Sequence, residues 1–160
     1  MKFKDLCRVF VGETIHIPAT DGRKTFSDAF PGKSKASDFG ASRRVSKSTP
    51  KTEVAIYDAL VSGKDFKYFH RLLKKKSPKE LCLTEAQIAM FCRNRRRFLK
   101  KDEFTIFFYE EEGGNVGLAQ VSFGDNLEHP DDRGWRFGPI DFDGESCFAG
   151  ERIVVPVLNS

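Results

Sequence analysis

Apolar and polar positions first alternate at Thr14-Ile15-His16-Ile17, and Pro18 stops the run, which predicts a short strand. Phe26, Ala29 and Phe30 give one apolar helical turn before Pro31-Gly32. Residues 32–50 are rich in Ser, Lys, Arg and Gly and have no period, so they read as a basic, Ser-rich loop or arm. Thr49-Pro50 reads as a helix start, because proline at the first helical position gives up no needed N–H. Val54, Tyr57, Leu60 and Val61 then lie on one face of the expected helix, and Gly63 ends it. A second helix is expected over Asp65 to Lys75, with Phe66, Phe69, Leu72 and Leu73 at helical spacing. Ser77-Pro78-Lys79-Glu80 is a capping box that starts a short helical turn. Thr84-Glu85-Ala86-Gln87 is another, opening the clearest helix of the chain, through about Lys101. Ile88, Phe91, Cys92, Arg95, Phe98 and Leu99 form its apolar face. Arg95 is the odd member, expected to snorkel or meet a carboxylate.

The period changes after Lys101. Phe104 to Tyr109 is aromatic and β-branched, Gly113-Gly114-Asn115 is a turn, and Val116 to Phe123 is the return strand of a hairpin. Leu127 to Gly134 is an acidic loop, Trp135-Arg136-Phe137 a short strand, and Asp143-Gly144 a turn. Ile153 to Val157 closes as a strand, with Pro156 putting it at an edge or at its own end. Helices and strands are segregated. The expected class is α+β, with helices packed on one side of a small antiparallel sheet, in a single domain over residues 1–160. Phe104, Ile106 and Phe108 would line one sheet face and Thr105, Phe107 and Tyr109 the other, with burial in the core as the expectation for Phe107 and Tyr109.

Four segments recur together: TIHIPA, LCLTEAQI, FTIFFYEEEGGNVGLAQVSF and RIVVPVL. On these the chain resembles a group of small uncharacterised proteins from reduced-genome candidate-phylum bacteria, which occur as many related copies. The resemblance runs from about Thr14 to Leu158. It implies one compact domain and assigns no activity and no functional residue. At Ser146-Cys147-Phe148 the chain departs from the group, where a Trp is commoner.

Charge changes the picture more than composition does. The formal net charge is +4, but Met1–Lys101 carries 24 Lys and Arg against 10 Asp and Glu, a net of +14. Asp102–Ser160 carries 3 against 13, a net of −10. Such a split points to a charged partner or to two halves that attract each other. Sixteen phenylalanines make the chain too apolar for disorder, and no apolar run approaches the roughly 20 residues of a spanning helix. Cys7, Cys82, Cys92 and Cys147 form no C-x-x-C pair, and no apolar stretch near Met1 suggests a signal peptide. A cytoplasmic protein with scattered buried thiols is expected, with no membrane partner.

No catalytic, cofactor or metal constellation emerges. Gly32-Lys33-Ser34 ends like a phosphate-binding loop, but position 27 is Ser27 where the motif needs glycine. Asp141, Asp143 and Gly144 resemble part of a calcium loop, yet its first and twelfth positions fall on Pro139 and Gly150, which have no carboxylate. His16, His70 and His129 share no zinc spacing with the cysteines. Cys147 as a nucleophile served by His129 or His16 lacks an elbow glycine. Asp131, Asp132 and Asp141 read as an acidic surface rather than an acid–base pair.

The residues singled out for a charged partner are Arg93, Arg96, Arg97 and Lys100, a helical stripe, together with Arg43 and Arg44; Lys74-Lys75-Lys76 extends the basic surface. They suit a solvated face, a phosphate backbone, or pairing with Glu110-Glu111-Glu112 or the Glu128–Asp132 loop. The expected function is a non-catalytic protein-interaction module, self-association included. The alternative is a nucleic-acid-binding protein using the basic helix 85–101 and the 32–50 arm. An enzyme of unknown class is the third reading.

Overall fold

The computed structural model describes residues 7–9, 14–29, 43–100, 103–124, 134–140, 142–144 and 146–157. Eight strands form one sheet: β1 (Cys7–Val9), β2 (Ile15–Ile17), β3 (Thr52–Ala59), β4 (Cys82–Leu83), β5 (Thr105–Glu110), β6 (Val116–Gly124), β7 (Gly134–Ile140) and β8 (Arg152–Pro156). The helices are short: α1 (Phe26–Ala29), α2 (Phe69–Leu72) and α3 (Glu85–Asn94), with 3₁₀ turns at Phe66–Tyr68, Pro78–Leu81 and Arg96–Phe98.

The main path of the sheet is β1-β3-β8-β5-β6-β7. β1 and β2 divide the outer edge of β3, at Tyr57–Ala59 and Thr52–Val54. On the β8 side of β5, β8 pairs with Thr105–Phe107 and β4 with Phe108–Tyr109, both in parallel. The other ladders are antiparallel. The class is α+β, but the sheet is mixed and large rather than small and antiparallel. A parallel pair joins segments far apart in sequence, and no local turn signal announces it.

The helix expected after Pro50 is strand β3. Thr52, Val54 and Ile56 are β-branched residues two apart, which a pleated surface favours. Val54 and Ile56 enter one core cluster, while Ala55, Tyr57 and Ala59 pack with the other. The helix expected over Asp65 to Lys75 is a 3₁₀ turn followed by the single turn of α2. The Ser77 side chain makes no cap; the Lys76 N–H donates to Glu80 Oε2 at 2.6 Å instead. The Thr84 box is present: Gln87 N–H donates to Thr84 Oγ1 at 3.2 Å and Thr84 N–H to Gln87 Oε1 at 2.9 Å. The short strand at Ile15–Ile17, the hairpin and the strand around Trp135 form as expected. Pro156 is the last residue of β8, a buried central strand flanked by β3 and β5.

Both sheet faces are covered, so the helices do not lie on one side. Phe107 and Tyr109 are buried under α1 and α3, with Phe91–Phe107 ring centroids 5.5 Å apart and Phe26–Tyr109 6.0 Å apart, both edge-on. Ile106 and Phe108 face Phe66, Phe69 and Leu81 on the opposite side. Tyr109 lies so close over Gly117 that a Cβ there would overlap its ring. Of the 32–50 segment, residues 43–50 are described and form no helix or strand. They bridge Thr49 to Thr20 and Arg44 to Glu111, and a Cβ on Gly22, whose φ is +83°, would strike the Lys47 backbone at 2.6 Å. Residues 32–42, Phe30, Lys101 and Asp102, and the acidic loop up to Arg133 lie outside the described residues.

Candidate interaction surfaces

α3 stops at Asn94 because Arg95 leaves helical geometry (φ −127°, ψ 31°), and Arg96–Phe98 continues as a 3₁₀ turn. Arg93, Arg96, Arg97 and Lys100 therefore do not form one helical stripe. Arg93, Arg96 and Arg97 are exposed around this break. The Arg97 guanidinium lies 4.7 Å from the centroid of the Phe98 ring. Lys100 Nζ is 3.9 Å from Glu103 Oε2. Arg93 also contributes, after two hydrogen bonds from Thr25 and alongside Lys24, to holding the Asp28 carboxyl below the usual range.

Arg43 and Arg44 lie elsewhere. Arg44 is inside the fold, with side-chain exposure of 14%: Nε is 3.3 Å and Nη2 3.4 Å from the carboxylate oxygens of Glu85, and the guanidinium is 5.6 Å from the Phe26 ring centroid. Glu85 Oε1 also accepts from Phe26 N–H at 2.9 Å. Exposed Arg43 accepts from Glu112 N–H through its carbonyl at 2.7 Å, and Val45 N–H donates to Glu110 O at 2.7 Å. The basic segment thus joins the acidic hairpin through its backbone, and Lys79 Nζ, 3.7 Å from Glu110 Oε1, adds an ion pair to the same hairpin. Glu85 and Arg93 mark opposite ends of α3, about 12 Å apart at 1.5 Å per residue.

The residue that positions the basic break is Arg152. Its Nε and Nη2 reach the two Asp58 oxygens at 2.7 and 3.2 Å, and Nη1 donates to Phe98 O at 3.0 Å. Both side chains are buried (9% and 10% exposed). Arg95 meets carbonyls rather than a carboxylate: Nε donates to His16 O at 3.2 Å and Nη1 to Asn94 O at 3.1 Å. Beside it is a hollow of about 250 Å³ lined by Thr14, Ile15, His16, Lys51, Arg95, Arg97 and Phe98.

A second cleft, of about 370 Å³, opens where β8 ends at Pro156 and β4 takes its place beside β5. Lys79 and Glu110 stand at it, and Gln87 Nε2 donates to Thr52 Oγ1 at 2.9 Å. Cys82 also lines it, but burial, aided by the Glu110 charge and opposed by Lys79, pushes its thiol up to about 12, so it is no nucleophile near neutral pH. Burial pushes Cys92 and Cys147 up as well, and Cys147 donates to Val61 O at 3.5 Å. Gly32-Lys33-Ser34, His129, Asp131, Asp132 and Asp141 lie outside the described residues. Among the described residues, no group of three or more His, Cys, Asp or Glu side chains is placed to hold a metal ion, and no helix is long and apolar enough to cross a membrane.

The remaining surface feature is apolar. Among the described residues, the exposed large hydrophobics are Leu60 (44%), Tyr68 (45%) and Phe148 (63%). All three lie on segments 60–68 and 146–150, which backbone bonds tie together. Gly63 N–H donates to Cys147 O, Cys147 N–H to Lys64 O and Gly150 N–H to Ala59 O, each at 2.9 Å. Ala149 N–H donates to Ser62 Oγ at 2.9 Å, and Ser146 and Asp65 are joined at 2.8 Å. Phe148 itself sits in a turn closed by Glu151, whose Oε1 accepts its N–H at 2.5 Å. Lys67 and Arg71 flank the Tyr68 ring at 5.2 and 5.0 Å. No family model matches the chain, and neither does any curated protein or solved structure.

Proposed function

We propose that the chain is a non-catalytic protein-interaction module that binds through the end carrying Phe148, Leu60 and Tyr68, with a second copy as its first partner. The observation that carries this reading is Phe148. A 63%-exposed aromatic ring on a loop already fixed by hydrogen bonds loses little freedom on binding. Polar groups around Tyr68 supply a rim. A cytoplasmic setting belongs to the same proposal and fits the free thiols of Cys82, Cys92 and Cys147.

Sedimentation over a range of concentrations tests the reading. The expected result is concentration-dependent association, abolished by Phe148→Ser with the thermal midpoint unchanged. A monomer at every concentration overturns self-association. A photo-crosslinking amino acid placed at position 148 that yields no protein adduct in cells overturns the interaction reading as a whole.

Nucleic-acid binding is the second reading, favoured by exposed Arg93, Arg96 and Arg97 around the point where α3 gives way to a 3₁₀ turn. It now rests on that cluster rather than on a continuous helix 85–101. Arg44 contributes to the fold instead. Retention on heparin that falls steeply with salt supports it, and no retention at low salt overturns it.

A further inference from the structure

We propose that the hollow between β2 and the end of α3 binds a phosphate group. This goes beyond the protein-interaction reading and uses a different region. Lys51 precedes β3 and Leu60 follows it, so the hollow and the apolar end flank opposite ends of an eight-residue strand, roughly 25 Å long at about 3.4 Å per residue.

Lys51, Arg95 and Arg97 line the hollow, and none of the described lining residues carries a carboxylate. Arg95 is the centre of the site. Its two carbonyl bonds, to His16 and Asn94, fix the plane of the guanidinium without cancelling its charge. They use two of its five N–H donors, and the other three are directed by a group already held in place. A planar fork with remaining donors matches tetrahedral oxyanions, which accept two parallel hydrogen bonds. Lys51 stands exposed at the rim and adds a mobile ammonium, and Thr14 adds a hydroxyl. Phe98 forms a wall, and Arg97 is stacked on it at 4.7 Å. A volume of about 250 Å³ admits a phosphate or diphosphate, with its substituent left outside.

The class of ligand is therefore a phosphorylated compound, either a small phosphate ester or one phosphodiester of a nucleic-acid strand. Calorimetric titration of the full chain with inorganic pyrophosphate tests it. Saturable binding is expected. Arg95→Gln should weaken it by about tenfold or more, the size of one lost charge-assisted hydrogen bond. Lys51→Gln, at the exposed rim where folding is not at stake, should weaken it several-fold. Lys76→Gln, exposed but outside the hollow, should leave it unchanged. A short single-stranded oligonucleotide that competes with pyrophosphate, and loses affinity equally in Lys51→Gln, assigns the phosphate to a nucleic-acid strand. An oligonucleotide that does not compete assigns it to a small phosphorylated molecule. No saturable pyrophosphate binding, or equal loss in Lys51→Gln and Lys76→Gln, overturns the site.

Discussion

Arg152 and Asp58 face each other across the β3–β8 ladder, on the sheet side that α3 covers. Burying two charges is costly, and the bidentate geometry plus the bond to Phe98 O offsets that cost. Removing one partner strands the other. Arg152→Met should cost about 3–5 kcal/mol, read as a lower urea midpoint. Asp58→Leu combined with Arg152→Met should recover most of the loss, because two apolar side chains leave no buried charge. Equal destabilisation in single and double variants would refute this account. The pair was illegible in the sequence, since Asp58 sat in a segment that read as a helix and Arg152 at the mouth of a hydrophobic strand. Only β3–β8 register makes them neighbours. Arg95 was legible as an anomaly, because a charge on an apolar face needs a partner. Its actual partners are backbone carbonyls, which a side-chain pattern does not display.

Among elements, α3 was the most legible and its end the least. The reciprocal hydrogen bonds of Thr84 and Gln87 are local and need nothing from the rest of the fold. Thr84→Ala should therefore cost about 1 kcal/mol, measurable as a lower denaturation midpoint with the fold kept. A loss near zero would mean that packing alone holds the helix start. The C-terminal break has no glycine or proline to announce it. Phe98 and Leu99 are buried at helical spacing from Phe91 and Arg95, but they reach the core from a 3₁₀ turn anchored by Arg152 and by Thr105, whose Oγ1 accepts from Lys100 N–H at 2.9 Å. β3 was misread for a related reason. Val54, Tyr57, Leu60 and Val61 fit a helix only if Ile56 is ignored, and sandwiching between β8 and β1–β2 selects the extended form. The hairpin read correctly because its turn and its alternation agree with each other.

Across the molecule, the opposite charges of the two halves meet in part. Lys79 meets Glu110 and Lys100 meets Glu103 through their side chains, Arg43–Val45 joins Glu110–Glu112 through backbone hydrogen bonds, and Arg93, Arg96 and Arg97 are exposed. Stability should fall at alkaline pH. Burial raises the Cys82 and Tyr109 values to about 12 and also raises Cys92 and Cys147, so the native state holds protons that the unfolded chain releases from roughly pH 8.5 upward. The unfolded state then binds fewer protons than the native state, and the urea midpoint should drop steadily between pH 8 and pH 11 under reducing conditions. A flat midpoint over that range would mean that these groups ionise as freely in the fold as out of it.

What the sequence determined by itself is local: the capped start of α3, the aromatic hairpin, the two-faced alternation of Phe104 to Tyr109, and the charge split. Each depends on residues a few positions apart, whose geometry the backbone already fixes. The tertiary structure decided the parallel pairing of β5 with β8 and β4, the strand state of β3, the cover on both sheet faces, and which arginines face solvent. Those outcomes depend on which distant segments share an edge or a core, and the free energy of that choice resides in burial and register rather than in any short stretch of chain.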